Sequence, residues 1–362
     1  MIRLLIVDDS ALMRKLLAGL FAAEGDFEVR LARNGEEALD LARAERPDVV
    51  TLDVQMPGMD GLACLDRLMI EAPCPVVMVS SVTRKGAEAT LEALRLGAID
   101  VVAKPTGAVS LEMDRLGPVI VAQVRAAAGA KLRRSLRLTE VVRHKVGRPG
   151  PAGVQGAPAP RPFRPARGRV DATSGLVLIG TSTGGPPALE AVLTQLPTDF
   201  PLPVLVAQHM PATFTGAMAR RLDSLCAIEV VEVDEPMPLV AGRAYIGRGD
   251  ADLLVSRRAG GLVALPAPAS SKYLWHPSVD RMVDSALEHL PAEQLRGVLM
   301  TGMGRDGAEA MTRLHQLGGR TIAEAEATAV VWGMPGELVR SGGAEVVVPL
   351  DEIAPTLLQM VT

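Results

Sequence analysis

From its first residue the chain alternates short apolar runs with amphipathic stretches, at a spacing of about 20–25 residues. "RLLIVDD" reads as a strand buried in a parallel sheet, and "EVRLA", "DVVTLD", "PVVMVS" and "DVVAK" read as further strands. Between them, "SALMRKLLAGLFAAEG" carries an apolar stripe at helical spacing, with Ser10 placed to cap it. The alternation lapses and then resumes with "GLVLIGTS", "VLVAQHM", "EVVEV", "GVLMTGMG" and "RTIAEA", spaced by helical stretches such as "PPALEAVLTQL" and "VDRMVDSALEHL". Strand–helix alternation implies right-handed crossovers, so each half is expected to be α/β with a doubly wound parallel sheet.

The lapse has its own composition. Residues 147–169 hold six prolines, and between Arg125 and Val170 twelve Lys or Arg face one acidic residue, Glu140. Such a stretch buries too little to fold alone, so it is expected to be a flexible linker. The predicted division is 1–124, a basic linker at 125–173, and 174–362. Without aromatic interleaving or a recognition fold, the basic stretch gives no reason to expect nucleic acid. Three cysteines with no paired or metal-ligand spacing (Cys64, Cys74, Cys226) suit a reducing compartment. No apolar run approaches the roughly 20 residues of a membrane span. A cytoplasmic protein with no direct membrane insertion is the expectation.

In an open parallel sheet, ligands gather beyond the carboxyl ends of the strands. In the first half those ends carry Asp8, Asp9, Asp53, Ser80 and Lys104. Three carboxylates at one edge repel unless a cation joins them, and oxygen-only ligation favours Mg²⁺ with room for a phosphoryl group. A hydroxyl and an ammonium beside it would grip phosphoryl oxygens. Taken singly, each aspartate is as well explained as a helix cap.

In the second half the strand ends deliver Ser182, His209 and Asp306, from three separate segments. A serine hydroxyl is a poor nucleophile until an imidazole takes its proton, and a carboxylate holds that imidazole in place. Glycine-rich turns such as "STGGP" and "TGMGRDG" expose backbone amides to an oxyanion, and the amide of Met303 is the expected donor. Alternatives stand beside each residue. "GTSTGG" alone resembles a loose phosphate loop, although Pro186 and Pro187 follow where a Walker loop needs lysine. His209 alone suits a core histidine, and Asp306 alone suits the cap of the helix that begins at "DGAEAM". His276, Ser278 and Asp280 in "WHPSVDR" fall too close along the chain to converge easily and read as loop and helix-start residues near the cleft. His144 falls in the linker, and His289 and His315 read as surface residues.

"VDDS", "LDVQMPGMDGL", "MVSS" and "AKP" resemble a response-regulator receiver domain. "IGTSTGGP", "QHMPATFTGAMARRL", "MTGMGRDGAEAM", "HPSVD" and "EATAVVWGMPGELV" resemble the catalytic domain of the chemotaxis protein-glutamate methylesterases, the CheB family. The resemblance implies a flavodoxin-like receiver joined to a Rossmann-like catalytic domain. It implies phosphorylation at Asp53, Mg²⁺ on Asp8, Asp9, Asp53 and the Gln55 carbonyl, support from Ser80 and Lys104, and a cis bond before Pro105. The activity it implies is hydrolysis of glutamate methyl esters on chemoreceptors, and deamidation of glutamines, by Ser182, His209 and Asp306 without a cofactor. The implied phosphodonor is a histidine kinase of the CheA type. Where that family usually has an aromatic switch residue, three positions before Lys104, this chain has Val101. The competing reading is a phosphorylation-dependent binding protein with a vestigial hydrolase domain.

Overall fold

A computed structural model describes residues 1–80, 84–104, 109–131 and 175–361. Most of the predicted linker, from residue 132 on, and the bond to Pro105 lie outside the described residues.

The first domain runs β1 (Ile2–Val7), α1 (Ala11–Glu24), β2 (Phe27–Ala32), α2 (Gly35–Glu45), β3 (Val49–Asp53), α3 (Gly61–Glu71), β4 (Val76–Ser80), α4 (Arg84–Leu96), β5 (Asp100–Ala103) and α5 (Val109–Ala128). Its strands are all parallel, in the order β2-β1-β3-β4-β5. This is the flavodoxin-like order, whose ligand crevice opens beside β1 and β3. Helix α1 forms as its sequence prescribes. Ser10 accepts the Met13 amide, Met13, Leu17 and Phe21 recur every fourth residue on the buried face, and Gly25 ends the helix at φ 75°.

The domain extends further than expected. The apolar positions Ile120, Val121, Val124 and Ala127 keep α5 helical and buried past residue 124. Arg125, read as the first linker cation, instead pairs with Asp26 at 2.8 Å and lies over the Phe27 ring.

The second domain runs β6 (Leu176–Thr181), α6 (Gly185–Leu193), β7 (Val204–Gln208), α7 (Ala212–Leu225), β8 (Glu229–Val233), β9 (Met237–Pro238), β10 (Arg243–Gly247), β11 (Ala251–Arg258), β12 (Gly261–Pro268), α8 (Val279–Leu287), β13 (Leu295–Leu299), α9 (Ala308–Gln316), β14 (Arg320–Glu324), α10 (Met334–Arg340), β15 (Val346–Val348) and α11 (Leu350–Val361). Seven parallel strands form the sheet in the order β15-β14-β13-β6-β7-β10-β8. The chain builds outward from β6 through β7 and then returns on its other side with β13. The switch point therefore lies at β6, where a crevice is expected. The pattern reading missed β10, β15 and an antiparallel ribbon of β11, β12 and β9.

The domains touch. One continuous cluster of buried apolar side chains draws on both. At the β5 edge of the first domain's sheet the Ile99 carbonyl accepts the Gly184 amide at 3.2 Å, and Asp100 accepts the Thr183 hydroxyl at 2.6 Å. Lys131, just past α5, bonds the Val330 carbonyl and Glu326.

Candidate active site

Parallel pairing of β6 with β7 puts Thr181 opposite Gln208. Ser182 and His209 are the next residues of each strand, so they leave the sheet side by side, and His209 N–H donates to the Thr181 carbonyl at 3.1 Å. Gln208 clamps both ends. Its Nε2 donates to the Ser182 carbonyl at 3.0 Å and the His209 carbonyl at 2.9 Å, while its Oε1 accepts the Thr181 hydroxyl at 2.6 Å. On the other side of β6, Ser182 N–H donates to the Thr301 carbonyl at the end of β13. There the chain must be glycine at 302, because a Cβ would stand 2.7 Å from that of Ser182. The buried Glu324 holds this segment through the Thr301 amide at 2.8 Å.

Asp306 completes the cluster. Its Oδ2 lies 2.7 Å from His209 Nε2 and accepts the Val279 amide at 2.7 Å, while Oδ1 accepts the Asp280 amide at 3.1 Å and the Ser278 hydroxyl at 3.0 Å. The alternative reading of Asp306 was half right. It does sit at a helix N-terminus, but of α8 rather than the helix that follows it, where Gly307 is the cap. Burial alone would raise the Asp306 acid. The His209 hydrogen bond and charge, with the two amides, outweigh burial and hold it below the usual carboxylate range. Asp306 thus stays ionised facing His209 Nε2, and His209 Nδ1 is buried without a hydrogen bond among the described residues.

Three residues of "WHPSVDR" belong to this site, and Ser278 and Asp280 are the helix-start residues near the cleft that the sequence suggested. Ser278 caps α8 and reaches Asp306, the Asp280 amide donates to Asp306, and the Trp275 ring stacks on the His209 imidazole with centroids 5.5 Å apart and planes 12° apart. Their closeness along the chain counted against them, yet a helix start places the cap and the two following amides around a single anion. The signal was Ser-x-Asp at a predicted helix start. His276 lies apart, paired with the buried Asp252 at 2.9 Å. His289 and His315, expected at the surface, are half-buried. The Met303 amide makes no hydrogen bond among the described residues, on the loop that packs against Ser182.

In the first domain, one oxygen each of Asp8, Asp9 and Asp53 lies within 4.8 Å of the others. Lys104 Nζ stands 2.8 Å from Asp8 and 2.6 Å from Asp53. Burial raises the Asp53 acid against the pull of Lys104, while Asp53 and Asp8 overcome burial at Lys104 and hold its ammonium above the usual value. Asp8 Oδ2 is buried and lacks a hydrogen bond of good geometry even with that ammonium near. An all-oxygen set of three carboxylates within reach of one another fits a hard divalent cation. Ser80 is buried at the neighbouring strand end, and the Gln55 amide donates to Asp53 at 3.1 Å. Val101 is buried in the sheet opposite Met78 and occupies no surface switch position.

The family model of the CheB methylesterase matches residues 177–357, and that of the response regulator receiver domain matches residues 4–113. The chain is 63% identical over 359 residues to a protein-glutamate methylesterase/protein-glutamine glutaminase of Rhodopseudomonas palustris, covering 99% of this chain and 98% of that one. The chain belongs to the CheB methylesterase family. A Rhodospirillum rubrum member with the same two activities in its name is 52% identical, covering 99% of this chain and 95% of its own. The CheB catalytic domain of Thermotoga maritima superposes on 52% of the chain and 98% of its own length, at 35% identity and a TM-score of 0.50. Like this CheB relative, the second domain is an α/β sheet with helices on both faces. Among the described residues, no helix is long and apolar enough to cross a membrane.

Proposed function

We infer that the chain is a receiver-regulated protein-glutamate methylesterase and protein-glutamine glutaminase, the activity named for its full-length relatives. For the chemistry, Ser182 is the nucleophile, His209 the general base and Asp306 the residue that orients it. One observation carries this assignment: Asp306 takes Nε2 of His209 and leaves buried Nδ1 unpartnered among the described residues, while strand pairing sets Ser182 next to His209.

The steps follow from the geometry. Ser182 Oγ attacks the ester carbonyl carbon as its proton passes to His209 Nδ1, and the Met303 amide meets the oxyanion that forms. Collapse breaks the bond to the methoxy group, which leaves as methanol with the proton from His209. Water then repeats the cycle on the acyl-serine, yielding a glutamate carboxylate and free Ser182. A glutamine amide follows the same path and releases ammonia. The carboxylate adds negative charge to the substrate, which shifts its conformational equilibrium by like-charge repulsion. The substrates of this reading are methylated chemoreceptors.

Asp53 is the phosphoryl acceptor in this reading, supplied by a histidine kinase of the CheA type. Mg²⁺ held by Asp8, Asp9, Asp53 and the Gln55 carbonyl would neutralise the transferring phosphoryl oxygens; Ser80 and Lys104 would bind those oxygens. Docking of the receiver at Ile99 and Asp100 against residues 183–184, beside Ser182, supports control by restricted access. Phosphorylation would loosen that contact. The alternative of a vestigial hydrolase is disfavoured by the Asp306–His209 pair, which stands next to Ser182 at the paired strand ends.

The test is methanol release from methylated receptor membranes, with and without a small-molecule phosphodonor. Full-length chain should respond to the phosphodonor, residues 174–362 should be active without it, and Ser182→Ala should release none while Asp53 still takes phosphate. Turnover by Ser182→Ala sinks the nucleophile assignment, and equal unstimulated rates for the full chain and the fragment sink the docking proposal.

A further inference from the structure

Trp275 lies against one face of the His209 imidazole. The two rings are nearly parallel, with planes 12° apart and centroids 5.5 Å apart, an offset stack within the range that aromatic pairs favour. The contact joins segments distant in the chain, and each segment is pinned independently of it. His209 is buried just past β7, with Nε2 on Asp306 at 2.7 Å. The loop that carries Trp275 is fastened immediately beyond it. Buried Asp252 of β11 pairs with His276 Nδ1 at 2.9 Å, accepts the Ser278 amide at 2.7 Å, and pairs with Arg281. Trp275 itself is half-buried.

We propose that Trp275 is a positioning residue for the hydrolytic reaction, its indole face fixing the plane of the His209 ring and stabilising the imidazolium that forms when Ser182 attacks. This role rests on those given above to Ser182, His209 and Asp306. One hydrogen bond at Nε2 leaves an imidazole free to rock about that bond. A parallel ring against its face removes this freedom, so Nδ1 keeps one direction.

Charge adds to geometry. As Ser182 attacks, His209 gains a proton and a positive charge while only 4% exposed to water. Asp306 meets that charge at one edge of the ring. The electron-rich face of the indole meets it from the side, and tryptophan is the strongest aromatic partner for a cation. A neutral imidazole gains far less from that face. The contact therefore favours the charged state over the resting one, which is the condition for speeding a step.

Three full-length chains are compared for the rate at which a fluorophosphonate probe labels Ser182: wild type, Trp275→Leu, and a chain with tetrafluorotryptophan in place of Trp275. Fluorination keeps the shape of the indole and strips the negative charge from its face. Both altered chains should label about tenfold more slowly than the wild type. An unchanged rate in the fluorinated chain overturns the proposal, even where Trp275→Leu is slow, because the ring would then serve packing alone. If Trp275→Leu does not fold, the fluorinated chain, with its original shape, still decides.

A second readout does not use Ser182. Trp275 and Trp332 are the two tryptophans of the chain, so Trp332→Phe isolates the emission of Trp275. An imidazole stacked on an indole quenches it, so adding His209→Gln should raise that emission at pH 6. Equal emission overturns the stack. If Ser182 of the wild type takes no label, the nucleophile assignment fails, and the emission decides whether Trp275 holds His209.

Discussion

At the residue scale the site is a chain of hydrogen bonds that leaves one buried nitrogen, His209 Nδ1, without a partner among the described residues. Asp306 binds the far side of His209, and its other partners are amides and a hydroxyl that cannot move away. Asp306→Asn keeps the volume but presents a neutral group to Nε2. The expected result is loss of about 10⁴ in turnover, the effect of the equivalent change in serine proteases, with methanol release as the readout. A loss below tenfold would mean that Asp306 serves the fold rather than the reaction. Ser182 and His209 were legible as candidates because each ends an apolar strand. Asp280 and Ser278 were not, because their roles depend on a carboxylate 26 to 28 positions away.

At the element scale, the start of α8 does two things at once. Ser278 caps the helix through the Arg281 amide and donates to Asp306, so the helix start and the Asp306 carboxylate share a partner. Ser278→Ala removes both bonds. A cap is worth about 1 kcal/mol, so a drop of a few degrees in melting temperature should accompany a several-fold fall in turnover. A full stability loss with unchanged turnover would show that only the cap matters. The strands flanking the site were legible for a related reason: a strand buried on both faces is apolar at every position. The ribbon of β11 and β12 was missed because its prolines, glycines and half-buried positions break that signature. β10 is a short run, and only its parallel pairing with β7 and β8 makes it a central strand.

At the scale of the whole molecule, Asp100 of the receiver accepts the Thr183 hydroxyl from the loop that carries Ser182. It is buried, bonded by Thr183, Val101 N–H and Gln123, and burial pushes its acid up to about 6 from 3.8 against those bonds. The folded state therefore holds this proton more tightly than the unfolded chain. Its stabilising contribution is complete below about pH 4 and is lost as pH rises through about 6. Asp100→Asn, neutral throughout, should melt above the wild type at pH 8, by at most about 3 kcal/mol in stability, with the gap closing toward pH 4. A gap independent of pH would mean that Asp100 is not protonated more readily in the folded chain. Residues 125–128 belong to this scale too. Their charge suggested a linker, but their apolar spacing and the partners waiting on α1 and β2 placed them in the receiver.

The sequence by itself determined two parallel α/β sheets and the strand ends that carry Asp53, Ser182 and His209, because burial on both faces and the abrupt change to polar residues are local properties. Only the tertiary structure decided which groups hold Asp306, which nitrogen of His209 Asp306 takes, and that Asp100 reaches the loop beside Ser182. Those outcomes depend on hydrogen bonds between residues distant in the chain, and no local pattern encodes which helix start will meet which carboxylate.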